Sequence, residues 1–248
     1  ENAGSYLAEI YLTRGQFEKA RVVLEETIAK YGPGPEDAQK KQLQQIVGNW
    51  GRFGEAPTVP AGSRPKVSLA FRNAKAVRFS ATAVDMDLVV NDVMALLESN
   101  PVEFDPERLN PSAIAGQLVA EKQSKYLGEI AAEWVKPLEP EADHREKNEA
   151  IEVPVEKAGA WWITGEMEGG YRFHTLVWVV DTLLNERDID GSRQWWVSEA
   201  ASGAPVSEAE IRFFGYQMVN RERKNPNERR MDIKTTSFTR SSDADGRT

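Results

Sequence analysis

No cysteine occurs anywhere in the 248 residues, and histidine occurs only twice. The first absence removes disulfides, thiolate metal sites and cysteine nucleophiles. The second leaves His144 in a charged connection and His174 at the start of a β-rich run, without the His-x-x-x-His or Glu-x-x-His spacing that zinc sites use. There is no Gly-x-Ser-x-Gly elbow for a nucleophilic serine and no glycine-rich phosphate loop. No apolar run approaches the ~18 residues needed to cross a bilayer as a helix. The first residues, Glu1-Asn2-Ala3-Gly4-Ser5, have neither the charged nor the apolar region of an export signal. An excess of basic residues is missing too: the net charge of -8 argues against nucleic acid as a general partner.

Other arrangements that could carry chemistry have simpler readings. Asp188-Ile189-Asp190-Gly191 hints at a calcium loop, but with Gly191 at loop position six, Val197 falls where a bidentate Glu is required. A tight turn is the better reading. Asp85 and Asp87 form one of many acidic pairs, which sequence cannot separate from surface carboxylates. The pairs Trp161-Trp162 and Trp195-Trp196 could stack a sugar. Neighbours in a strand point to opposite faces, however, so one of each pair is expected in the core and the other outside or under an insertion. No catalytic, cofactor-binding or metal-binding residue is assigned, and the chain reads as non-enzymatic.

What is present changes period several times along the chain. Leu7, Ala8, Tyr11, Phe17, Ala20, Leu24 and Ile28 fall at helical spacing, broken near Gly15. A further helix is expected over 36–47, after the Gly32-Pro33-Gly34-Pro35 breaker. This first unit, 1–47, is similar to a tetratricopeptide repeat, with small residues where two helices approach; a plain helical hairpin acting as a spacer fits the pattern equally well. Gly and Pro dominate 48–66, which reads as a linker docked by Trp50 and Phe53. Alternation returns at Val67, Leu69 and Phe71 and at Val77, Phe79 and Ala81, around a turn at Arg72-Asn73-Ala74-Lys75. Helical spacing then marks 86–150 as an insertion. It holds Leu88, Val89, Val93, Leu96 and Leu97, then Ile114, Leu118 and Val119, then Tyr126, Leu127, Ile130, Ala131, Trp134 and Val135. Residues 139–152 carry mixed charge and read as a solvated connection.

From Ile151 the sheet resumes through 151–155, 160–167 and 173–184, with Gly169-Gly170 as a hairpin turn. Three extended runs fill 176–217, separated by the Asp190-Gly191 turn and the Gly203-Ala204-Pro205 corner, where Pro205 cannot donate to a ladder. Between Arg212 and Arg240 the chain carries eight Lys or Arg and three acids. The cluster Arg221, Arg223, Lys224, Arg229 and Arg230 reads as a solvated hairpin tip.

Four of these stretches carry a family resemblance. Trp196-Val197-Ser198-Glu199-Ala200-Ala201-Ser202-Gly203-Ala204-Pro205-Val206, followed by Ala209-Glu210-Ile211, resembles the V-x-D-x-x-T-G-x-P-V-x-x-A-x-V signature of macroglobulin-type sandwich domains in the alpha-2-macroglobulin family. Ser242-Asp243-Ala244-Asp245-Gly246 resembles the same family's T-D-x-x-G turn, and the Lys157 to Trp161 turn and the Trp178 to Thr182 strand are also similar. The match is to the large bacterial members and spans Val67 to the C-terminus.

The resemblance implies an α+β multi-domain fold. A helical hairpin comes first, then an antiparallel, macroglobulin- or immunoglobulin-like β-sandwich over 67–184 with a helical insertion at 86–150. The start of a second sandwich follows over 185–248. Both ends of the chain read as cuts within a longer, exported protein. The implied role is that of a non-catalytic frame in endopeptidase inhibition by protease trapping, with target proteases and other domains of the parent as partners. Without cysteine, the reactive thioester of some members has no place here. The alternative is a surface interaction or adhesion module built from helical repeats and sandwiches; a carbohydrate-active or hydrolytic enzyme has the least in its favour.

Overall fold

A computed structural model describes residues 2–101, 124–220 and 231–248. The N-terminal unit is three helices: α1 (Asn2–Thr13), α2 (Phe17–Tyr31) and α3 (Ala38–Val47). Gly15 breaks the first two at φ 66, a conformation that costs an L side chain energy. Ala8, Ala20, Leu24 and Ile46 form their shared core. The two alanines let α1 and α2 approach closely, while Leu7 and Ile28 of the expected stripe stay at the periphery.

The middle of the chain is a sandwich of two sheets. The smaller has the order β1 (Trp50–Phe53), β3 (Lys66–Arg72), β6 (Lys147–Glu152), all antiparallel. The larger has the order β2 (Thr58–Pro60), β8 (Arg172–Val180), β7 (Gly159–Met167), β4 (Ala76–Val84), β5 (Leu127–Pro137). Only β2–β8 is parallel in it. Val67, Leu69 and Phe71 from one sheet meet Val77, Phe79, Ile163 and Val177 from the other in a single core. Each such side chain, fully buried, contributes about 1.5–3 kcal/mol of apolar transfer.

Two expectations are corrected here. Residues 48–66, expected as a linker docked by Trp50 and Phe53, contain two strands: β1 joins one sheet and β2 the other, so this Gly- and Pro-rich stretch clasps both, with Phe53 against the core. Strands of three or four residues leave too few positions for an alternating pattern to show. The second correction concerns the helix expected from Tyr126 to Val135: after a 3-10 turn ending at Tyr126, the chain from Leu127 is strand β5. β5 carries register shifts at Ala81/Thr82 and Thr82/Val84, each adding a residue on the β5 side. The bulges change the parity of side chains along the strand. Leu127 and Ile130 lie opposite Val84 and Thr82, while Ala132 and Trp134 turn into the core opposite Ala81 and Phe79. Two faces read through two bulges imitate a spacing of three to four residues. The charge-rich 139–152 likewise contains β6, whose Glu149 pairs with Lys136 of β5 at 2.7 Å.

The helical part of the insertion is α4 (Met86–Glu98), with Asp85 accepting from the Leu88 amide at 2.9 Å as its N-cap. Asp87 lies in the first turn, where negative charge favours the helix dipole. These positions account for both members of the acidic pair. The helix packs on the outer face of the larger sheet, where Val89, Tyr126 and Trp162 are buried together. Thus Trp161 enters the sandwich core and Trp162 lies under the insertion. Ile114, Leu118 and Val119, and the basic cluster at 221–230, lie outside the described residues.

Past Val180 the chain changes sheets at Asp181. β9 (Thr182–Ile189) pairs with β10 (Ser192–Glu199) through a two-residue turn, with Asp190 at φ 49 and Gly191 at φ 79. β11 (Glu210–Asn220) pairs with β12 (Met231–Ser241). The hairpins meet through Trp195 on Phe213 at 4.8 Å, and Phe213 stacks on Phe238 at 4.9 Å.

Their connections interlock. After the Gly203-Ala204-Pro205 corner the chain returns to β10, with the Val206 amide donating to Val197 at 3.0 Å. Ser242 is buried; its hydroxyl donates to the Val206 carbonyl at 2.7 Å and accepts from the Ala209 amide at 2.9 Å. Asp243 Oδ1 accepts from the Asp245 and Arg247 amides, closing a turn whose Gly246 carbonyl receives the Val197 amide at 2.8 Å. Gly246 sits at φ 74, and a Cβ there would run into the Val197 carbonyl oxygen. Gly246→Ala is therefore expected to lower the unfolding free energy by at least the ~1–2 kcal/mol of a left-handed L-residue. Thermal unfolding followed by tryptophan fluorescence checks this.

Candidate functional site

Where the helices meet the sandwich, polar and aromatic side chains come together from α2, β1 and the turn after β3. The turn between β3 and β4 builds this junction. Asn73 adopts φ 63, which asparagine tolerates better than most residues. Its side-chain nitrogen donates to the carbonyls of Ile46 and Gly48, both at 2.7 Å. These carbonyls end α3, where backbone acceptors have no intrahelical donor. With both donors used, Asn73 Oδ1 is the acceptor for His144 Nδ1 at 2.7 Å. The other ring nitrogen, Nε2, lies 3.7 Å from Glu18 on α2. Glu18 also receives two hydrogen bonds from Arg21, which hold its carboxyl below the usual carboxylate range.

Arg72 precedes Asn73. Its guanidinium lies 4.8 Å from the centre of the Phe17 ring and 4.8 Å from that of Trp50. One ring comes from α2 and the other from β1, so the cation is stacked between the helical unit and the sheet. Its Nε is buried without a hydrogen-bond partner. Burial pushes the guanidinium below its ordinary pKa; at neutral pH it stays charged. Beside it is a cavity of about 490 Å³ lined by Gln44, Gln45, Asn49, Trp50, Arg72 and Tyr171. Asn49 is fixed by donating to the Glu168 carbonyl at 2.8 Å.

The sequence-level candidates are placed as follows. His144 belongs to the junction, whereas His174 stands on β8, stacked on Trp162 at 5.1 Å with Nδ1 3.0 Å from Thr164 Oγ1. The two histidines are not brought together. Trp195 packs on Phe213 and donates to Glu186 at 3.3 Å, so neither Trp pair makes a flat exposed platform. Asp188 pairs with Arg193 at 3.7 Å, and Asp190-Gly191 form the hairpin turn. Among the described residues no cluster of three His, Asp or Glu is placed to hold a metal ion. No helix among them is long and apolar enough to cross a membrane. Sequence reasoning missed Arg72 and Asn73 as junction residues; the available signal was an asparagine in a turn directly after a strand.

Two outcomes test this geometry. Asn73→Ala removes both donors to α3 and is expected to cost about 1–3 kcal/mol of stability. Asn73→Asp keeps the acceptor for His144 and loses the donors, so it should be at least as damaging in denaturant unfolding. His174 is pushed below the ordinary imidazole value by burial, and Arg172 adds to the effect. Its neutral form therefore stabilises the fold fully above an unfolded value of about 6.5, and that contribution is lost as pH falls through the lower folded value. An NMR titration should give His174 a midpoint below that of a free imidazole side chain; a midpoint above it contradicts the packing described.

No protein-family model matches the chain, and no curated protein sequence does. Among solved structures, it is similar to native alpha-2-macroglobulin from Escherichia coli spanning domains MG0-NIE-MG1. That similarity has a TM-score of 0.49 and 12% identity, over 81% of this chain and 56% of that one. The chain thus spans little more than half of that structure. The E. coli structure spanning NIE-MG1 gives a TM-score of 0.47 and 13% identity, over 82% of this chain and 86% of that one. A Salmonella alpha-2-macroglobulin mutant gives 0.41 and 11%, over 82% of this chain and 10% of that one.

Proposed function

We propose that this chain is a non-catalytic frame segment of a bacterial alpha-2-macroglobulin-like protein, exported from the cytoplasm and acting in endopeptidase inhibition. One observation carries the reading. The two stretches that resemble the family's signatures lie 31 to 50 residues apart in sequence, yet they form one hydrogen-bonded unit. Ser242 ties Val206 to Ala209, and Gly246 lies against Pro205 and Val197. A fortuitous pair of short motifs has no reason to meet in space.

The division proposed with this reading is a tetratricopeptide-like helical segment over 1–47, a sandwich over 67–184 to which β1 and β2 of 48–66 add strands, and the start of a second sandwich over 185–248. The roles of its parts are mechanical: sheets set the spacing, and the junction fixes the angle of the helices.

The test uses the whole protein that contains this chain. Purified and incubated with endopeptidases, it is expected to suppress cleavage of a protein substrate while leaving cleavage of a small peptide substrate nearly intact. That split marks enclosure rather than active-site blockade. Unchanged cleavage of both substrates across a broad protease panel would sink the proposal.

A further inference from the structure

The junction holds a charge that nothing in it balances. No carboxylate among the described residues lies within ion-pair distance of Arg72, in a chain of net charge -8 where many other arginines have found one. Glu146 acts on Arg72 only at longer range and is paired with Arg52 at 3.6 Å. A half-buried cation with an unpartnered Nε is costly to keep. The stacked rings recover part of that cost but satisfy no N–H. The Phe17 and Trp50 rings each lie 4.8 Å from the guanidinium carbon and Nε is buried, which leaves the terminal nitrogens as the groups that can meet a ligand. Gln44, Gln45 and Tyr171, all at the surface, line the open cavity beside it, and among the described residues its lining holds no Lys, Asp or Glu.

We propose that this cavity is a carboxylate-binding site, with Arg72 as the receptor and the carboxylate of a peptide segment as the ligand. The parallel N–H groups on a guanidinium edge match the two oxygens of a carboxylate. One guanidinium balances one negative charge, whereas a phosphate dianion would leave an uncompensated charge partly buried. The glutamine amides both donate and accept, which suits the peptide groups flanking such a carboxylate. The site lies between helices and sheet, so an occupant would brace the junction. Its existence does not depend on the family reading above.

The test uses the full chain and four small probes: N-acetylglycine, N-acetylaspartate N-methylamide, N-acetylglycinamide and inorganic phosphate. Binding is read from the Arg72 Nε–H resonance and Trp50 fluorescence. Saturable shifts with one or both carboxylates, and none with the neutral amide, are expected; the stronger one tells a chain terminus from an acidic side chain. Arg72→Lys should weaken the better probe about tenfold or more, since the bidentate fork is lost. Gln45→Ala, which leaves the stack intact, should weaken it too. The proposal is overturned if neither carboxylate shifts the resonance, if the amide or phosphate binds as well, or if Gln45→Ala and a folded Arg72→Lys both bind unchanged.

Discussion

Phe173 can enter the sandwich core only because two glycines make room for it. Gly165 lies opposite it on β7, and any Cβ there would overlap the ring. Gly51 faces it from β1 in the other sheet, where a Cβ would strike Met167 and the same ring. The ring then packs on Phe53 at 4.8 Å, and Phe53 reaches Phe79 at 6.1 Å. Interiors are packed like crystals, so the separation of the sheets at this end is set by one aromatic ring and two missing methyl groups. That constraint draws in β1, and β1 in turn brings Trp50 to Arg72. The junction with the helices is therefore a consequence of core packing rather than an attachment added to it.

The same end carries the polar half of the argument. A helix that stops against a sheet must find donors for its last carbonyls. Here a side chain of the sheet's own turn supplies them, so α3 and the β3–β4 turn cannot form independently of each other. Asn73 does this while leaving its oxygen for His144, which reaches back to α2. Helices, sheet and the 139–152 connection are coupled through one residue. This ties the helical unit to the sandwich, and it places the charge of Arg72 at the contact between the two.

Much of this was legible in the sequence. Where a strand was long and one-sided, as in 67–71 and 77–81, alternation located it. Where a turn needed positive φ, Asp190-Gly191 and Gly169-Gly170 located the hairpins. β5 was not legible because its bulges scramble the period at Ala131, and a bulge depends on the partner strand. β1 and β2 were hidden because three or four residues carry no pattern, and their pairing is wholly non-local. Trp161 and Trp162 were separable by parity alone, since both strand neighbours find a core, one on each face. The junction was the least legible part. Arg72 is ordinary in sequence, and its meaning comes from Phe17 and Trp50, which lie 55 and 22 positions away. The register of β1 brings in Trp50 and helix docking brings in Phe17; neither is encoded near Arg72.

The two hairpins after Asp181 follow a different economy from the sandwich. Beyond Val179, the buried hydrophobic residues among those described are Val197 and Ile233. Leu184 and Phe238 remain exposed at 51% and 46%. So small a core does little to hold two hairpins together, because isolated two-stranded ribbons are marginal in water. Backbone and polar ties compensate. Ala200 is held to Asp181 at 2.8 Å, Ser242 and Gly246 lock the connections, and Asn100, just past α4, accepts from the Ile233 amide at 2.7 Å. Directional bonds fix geometry well but contribute only ~0.5–1.5 kcal/mol each. The second unit is thus held at a defined angle by the insertion and by its own interlocked turns, and it opens more readily than the sandwich. Motion is drawn from the low-stability end of a molecule, and here that end rests on α4 and on Asn100, which accepts from the Ile233 amide and donates to Asp232.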